Sequence, residues 1–133
     1  MTSAPDKIRL LIADDQPVIL RGLSLMLGAE KDVEVVGQAK DGVEAVEMAK
    51  ELHPDVVIMD LQMPNLSGID ATRAITKMDA DIKIVVLTTF ASDNLVFDAM
   101  RVGARAYLLK DTDEQKVLTT VRAVHRGDAV LTP

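Results

Sequence analysis

Five short apolar runs alternate with five stretches of helical periodicity, and this alternation limits the fold more than any other feature of the chain. The runs are Ile8 to Ala13, Val33 to Ala39, Val56 to Asp60, Ile82 to Thr88 and Arg105 to Leu109. They are rich in β-branched residues and too short for helices. Each therefore reads as a strand, and Val56-Val-Ile-Met59 reads as one buried on both faces. Helix starts fill the gaps. Pro17 suits a first helical turn, with Asp15 or Gln16 as the cap. Asp41-Gly-Val-Glu44, Ser67-Gly-Ile-Asp70 and Thr112-Asp-Glu-Gln115 have the form of capped helix openings, and a fourth helix is expected from about Asn94 to Val102, stopped by Gly103. Strand–helix units at this spacing imply a parallel sheet with right-handed crossovers.

The chain has 133 residues, enough for one ordinary domain. Only Tyr107, Phe90 and Phe97 are aromatic, so the core must be aliphatic. Lys and Arg number 15 against 21 Asp and Glu, a net charge of −6, with no basic cluster to grip a phosphate backbone. Cysteine is absent, which excludes disulfide and thiolate chemistry and suits a reducing compartment. No apolar stretch has the length of a secretory signal or a membrane span, so the expected location is the cytoplasm. Residues 1–7 are expected to be a flexible lead-in, 8–126 the folded domain, and 127–133 the start of a linker.

Four of the five runs end on polar groups: Asp14 and Asp15, Asp60, Thr88 and Lys110. In a parallel α/β sheet these ends share one edge, the edge where such folds hold ligands. The expected fold is flavodoxin-like, a five-stranded parallel sheet in the order 2-1-3-4-5 with helices on both faces. In that order the first and third strands are neighbours, and Asp14, Asp15 and Asp60 converge at the switch point. Three carboxylates in one cleft repel one another and favour a hard divalent cation such as Mg²⁺, which keeps waters and recruits phosphate oxygens. A carboxylate nucleophile, a cation, a mobile lysine and a hydroxyl are the parts of a phosphoryl-transfer site.

The segments IADD, IMDLQMPNLSG, LTT and YLLKD resemble the receiver domain of bacterial two-component response regulators. The likeness runs from Ile8 to Arg126 and is nearest to the NarL/FixJ (LuxR-like) type, especially in YLLKD and the closing RGDAVLTP. The resemblance implies that Asp60 accepts a phosphoryl group from a sensor histidine kinase. Asp15 and Asp60 would ligate Mg²⁺ directly with the backbone carbonyl of Gln62, and Asp14 through water. Thr88 and Lys110 would bind phosphoryl oxygens, and Tyr107 would pack inward as Thr88 moves. Gln62 and Phe90 are expected to flank the phosphoryl group and tune its hydrolysis. The resemblance also implies a homodimer on activation and a DNA-binding helix-turn-helix domain beyond Pro133. One departure stands out: Asp111 replaces the proline that often follows the lysine in a cis bond. A non-proline cis bond costs about 3–4 kcal/mol, against less than about 1 for X–Pro.

Each residue also has a plainer reading. Asp15 alone suits a helix cap, Thr88 a strand, Lys110 a solvated loop and Tyr107 ordinary packing. His53 and His125 lack partners at ligand spacing. The functional reading rests on the coincidence of the strand ends. Two alternatives are weaker. A haloacid-dehalogenase-like phosphatase would carry an acid where Gln62 stands, and a degenerate receiver acting only as an interaction module would not need all of these groups.

Overall fold

A computed structural model describes residues 7–89 and 92–128, with the Asp93 side chain left aside. The elements are β1 (Ile8–Ala13), α1 (Pro17–Gly28), β2 (Val33–Ala39), α2 (Gly42–Leu52), β3 (Val56–Asp60), α3 (Gly68–Met78), β4 (Lys83–Thr88), α4 (Asp93–Arg101), β5 (Ala106–Leu109) and α5 (Glu114–His125). The strands form one parallel sheet in the order β2-β1-β3-β4-β5, as the strand–helix alternation requires.

The apolar runs are continuous because helices cover both faces of the central strands. Alternate residues divide between two cores. Leu10, Ile12, Ile58, Val85 and Leu87 face α1 and α5, where Leu20, Leu27, Val117 and Val121 pack against them. Leu11, Ala13, Val57, Met59 and Val86 face the other layer, where Ala45, Ala49, Ala71, Ile75 and Ala99 come from α2, α3 and α4. The alanines let those helices lie close to the sheet.

Several boundaries differ from the sequence expectation. β4 starts at Lys83 and not at Ile82, and β5 at Ala106 and not at Arg105. Helix α4 starts at Asp93, one residue before Asn94, because the Ser92 hydroxyl accepts the Leu95 N–H and so caps it. Thr112 does not cap α5: the Asp113 carboxylate accepts the Lys116 N–H at 2.8 Å. Of Asp15 and Gln16, it is Gln16 that takes the N-cap position of α1, but its side chain makes no capping hydrogen bond. Instead the Asp14 carboxylate accepts the Gln16 N–H at 2.8 Å and closes the turn after β1. The caps at Asp41 and Ser67 form as expected, accepting from the N–H groups of Glu44 and Asp70. Described residues contain no cis peptide bond, so Lys110–Asp111 is trans.

Candidate functional site

The register of the sheet sets the site. Ala13 pairs with Met59, so the next residues, Asp14 and Asp60, leave adjacent strands side by side. Thr88 pairs with Leu109, which brings Lys110 to the same edge. The Lys110 N–H donates to the Thr88 carbonyl at 2.9 Å and fixes the start of the β5–α5 loop. On the other side of Asp60, the Gly68 N–H donates to the Leu61 carbonyl at 2.9 Å and folds the β3–α3 loop back on the strand. A side chain at Gly68 would overlap the Asp60 carbonyl oxygen, so only glycine admits this approach.

A carboxylate oxygen from each of Asp14, Asp15 and Asp60 falls within one cluster, all within 4.8 Å of one another. Asp14 and Asp60 are buried, at 0% and 2% exposure, whereas Asp15 faces solvent. Burial, then the neighbouring Asp14 charge, raise the Asp60 pKa to about 6, against the opposing pull of the Gln62 N–H and Lys110. That N–H reaches Asp60 Oδ1 at 3.2 Å. The Lys110 ammonium lies 3.2 Å from Asp60 Oδ2 and 3.3 Å from Asp14 Oδ2. The second approach is a charge contact without the direction of a hydrogen bond. Asp14 Oδ2 is therefore a buried oxygen with no hydrogen-bond partner. A buried anionic oxygen beside two further carboxylates is a donor set that fits a hard divalent cation.

The structure brings Asp14, Asp15, Asp60, Thr88 and Lys110 to one edge. Thr88 is buried there at 1% exposure. Gln62 is exposed, and with Asp15, Gln16, Thr89 and Lys110 it lines a polar hollow over Asp60. Tyr107 lies one strand away, half-buried against the layer that contains its register partner Val86. Phe90 lies outside the described residues. Sequence reasoning missed one participant, Gln16, whose side-chain carbonyl accepts from Lys110 Nζ at 2.7 Å. Its only signal was its position after the acidic pair.

Comparison with known proteins shows the family and agrees with the fold. Residues 10–122 match the family described as the response regulator receiver domain. An uncharacterized transcriptional regulatory protein of Bacillus subtilis, YxjL, is 44% identical over 125 residues, which is 94% of this chain and 57% of the relative. The chain thus spans little more than half the length of that relative. A two-component response regulator of the LuxR family from Aurantimonas sp. superposes with a TM-score of 0.90 at 29% identity, over 96% of this chain and 91% of that one. CheY of Borrelia burgdorferi, in a complex with CheX, BeF3 and Mg, superposes with a TM-score of 0.83 at 28% identity, over 88% of each chain.

Proposed function

Because the chain belongs to the response regulator receiver domain family and is a receiver of the LuxR/NarL type, we propose that Asp60 is its phosphoacceptor and that the acidic cluster holds the Mg²⁺ on which phosphorylation depends. The observation that carries this reading is the buried Asp60 carboxylate, 3.2 Å from Lys110 and clustered with Asp14 and Asp15.

The donor is the phosphohistidine of a sensor histidine kinase, or a small acyl phosphate. An Asp60 oxygen forms a bond to phosphorus as the bond from phosphorus to the donor breaks. Asp15, Asp60 and the Gln62 carbonyl would hold the metal, with Asp14 acting through water. When bound, Mg²⁺ neutralises charge on the transferring phosphoryl oxygens. Lys110, already beside Asp60 Oδ2, is placed to pair with one phosphoryl oxygen, and the Thr88 hydroxyl with another. The structure starts from a strained electrostatic state, two buried carboxylates against one lysine. Phosphorylation would add further negative charge there, which Lys110 and the metal together would offset.

Receiver domains are typically regulators and not enzymes, and the turnover here is limited to the protein's own acyl phosphate. Gln62 and Phe90 would set its lifetime by controlling the attacking water. Tyr107 would report the change by packing inward, and homodimerisation would follow. DNA binding would fall to another domain of the whole protein, with 8–126 as the receiver and 127–133 as the start of a linker. The working compartment is the cytoplasm; no helix among the described residues is long and apolar enough to cross a membrane. The phosphatase alternative has no support from the relatives.

Incubation with acetyl phosphate and Mg²⁺, followed by intact-mass measurement, tests the assignment. A phosphoryl adduct is expected in the wild type, lost with EDTA and lost in Asp60→Asn. An adduct that persists unchanged in Asp60→Asn refutes it.

A further inference from the structure

An ammonium group has three N–H donors, and Lys110 directs two of them at Gln16 and Asp60 while touching Asp14 by charge alone. Nζ stands 2.7 Å from Gln16 Oε1, 3.2 Å from Asp60 Oδ2 and 3.3 Å from Asp14 Oδ2. This order is the reverse of what charge alone dictates. A lysine beside two carboxylates draws bonds to about 2.7–2.9 Å with them. Here the shortest bond goes to a neutral amide, while the ammonium keeps longer contacts with both anions.

Gln16 is built into that position. It is the extended residue before Pro17, with φ −95° and ψ 111°, and its N–H is held by the Asp14 carboxylate at 2.8 Å. One residue thus ties the buried carboxylate through its main chain and the cation through its side chain. The contact joins parts of the chain 94 residues apart, across the polar hollow above Asp60.

We propose that Gln16 is a positioning residue for this site: its side-chain carbonyl draws the Lys110 ammonium toward the mouth of the cleft, keeps it from closing further on Asp14 and Asp60, and so preserves the affinity of those carboxylates for a divalent cation. The proposal rests on the metal-dependent reading above. An ammonium that closes on the pair is an internal competitor. It neutralises the charge that attracts Mg²⁺ and fills the open position at Asp14 Oδ2. The tether commits only one of the three N–H groups. A second donates to Asp60 Oδ2 and would serve the acyl phosphate after transfer, so the tether need not break during the reaction.

The test is a titration of the isotope-labelled chain with MgCl₂ at constant ionic strength, with Kd read from backbone amide shifts around Asp60. Gln16→Met keeps the side-chain length and removes the acceptor. Gln16 is exposed, so the fold should be retained. The Kd for Mg²⁺ is expected to rise about fivefold, the worth of one net hydrogen bond. In a Lys110→Met background the same substitution is expected to leave Kd unchanged. Gln16→Asn separates positioning from stability: asparagine is a better helix cap, but its carbonyl falls short of Lys110. Thermal stability should rise or hold while Mg²⁺ affinity falls. An unchanged or lower Kd in Gln16→Met, or a rise that persists without Lys110, overturns the proposal. Asp60→Asn is the separate control for the site. If it leaves Mg²⁺ binding intact, or if the wild type binds none, the metal-site reading fails and takes the proposal with it. If Asp60→Asn weakens binding and Gln16→Met does not, only the proposal fails.

Discussion

At the scale of single residues, the cost of the site falls on Asp60. Its pKa is raised to about 6, first by burial and then by the Asp14 charge. A carboxylate whose folded pKa lies above its unfolded value of 3.8 binds its proton more tightly in the folded state. Ionised Asp60 therefore destabilises the fold at pH above about 6, and the penalty fades as pH falls from 6 toward 3.8. Asp60→Asn removes the charge and keeps the shape. It is expected to stabilise the metal-free chain by about 1–3 kcal/mol at pH 7.5, with the gain shrinking to near zero by about pH 4. Urea melts in EDTA across that range check this, and a gain independent of pH would contradict the electrostatic account. Saturating Mg²⁺ should narrow the gap at pH 7.5 by stabilising only the wild type. Gly68 is a second critical residue, for steric reasons. A Cβ there overlaps the Asp60 carbonyl and crowds Leu61, so Gly68→Ala is expected to cost about 2–4 kcal/mol and to slow phosphorylation by displacing the loop. Chemical denaturation and acetyl phosphate labelling of the same sample measure both effects.

At the scale of elements, the helix caps show where sequence reading succeeds and where it slips by one position. Thr112 and Asp113 are adjacent, and both residue types cap helices. The sequence Thr-Asp-Glu-Gln favours Thr112, yet Asp113 receives the Lys116 N–H. Replacing Asp113 with Ala should cost about 1 kcal/mol, whereas Thr112→Ala should change stability by less than about 0.5 kcal/mol. Equal losses in the two variants would restore the original placement. The sheet was legible because every strand is marked by its apolar run and four of the five are marked again by the polar group that ends them. The shared edge of Asp14, Asp15, Asp60, Thr88 and Lys110 then followed from parallel topology alone. Contacts carried by long side chains left no such mark. Arg9 illustrates this: its guanidinium donates to the Leu52 and His53 carbonyls at 2.7 and 2.9 Å and closes the C-terminal end of α2. Arg122 does the same for another pair of elements, donating to both Asp32 carboxylate oxygens at 2.8 Å. Neither an arginine in a strand nor one in a helix announces a partner forty or ninety residues away. Gln16 was overlooked for the same reason.

At the scale of the whole molecule, the site and its proposed readout, Tyr107, sit on neighbouring strands of one sheet. Thr88 ends β4, and two residues before it Val86 pairs with Tyr107 of β5. Alternate strand residues share a face, so Thr88 follows Val86 on the side where Tyr107 packs. A pull on the Thr88 hydroxyl by a phosphoryl oxygen therefore acts in the layer that holds Tyr107. Inverting a 1:99 population requires about 5.5 kcal/mol of preference for the active form. Charge-assisted bonds from Lys110 and Thr88, together with the metal, are of the size to supply it. Thr88→Val keeps the volume of this buried residue and removes the hydroxyl. It should still accept phosphoryl at Asp60, because the nucleophile, the acidic pair and Lys110 are intact, but the link to β5 should be lost. The chain makes this measurable, since Tyr107 is its only tyrosine and it has no tryptophan. Acetyl phosphate and Mg²⁺ should change the tyrosine emission of the wild type. In Thr88→Val the phosphoryl adduct should appear by mass while the emission stays at its unphosphorylated value. A full emission change in that variant would show that the signal reaches Tyr107 without the Thr88 hydroxyl, and would move the switch to the Lys110 side of the cleft.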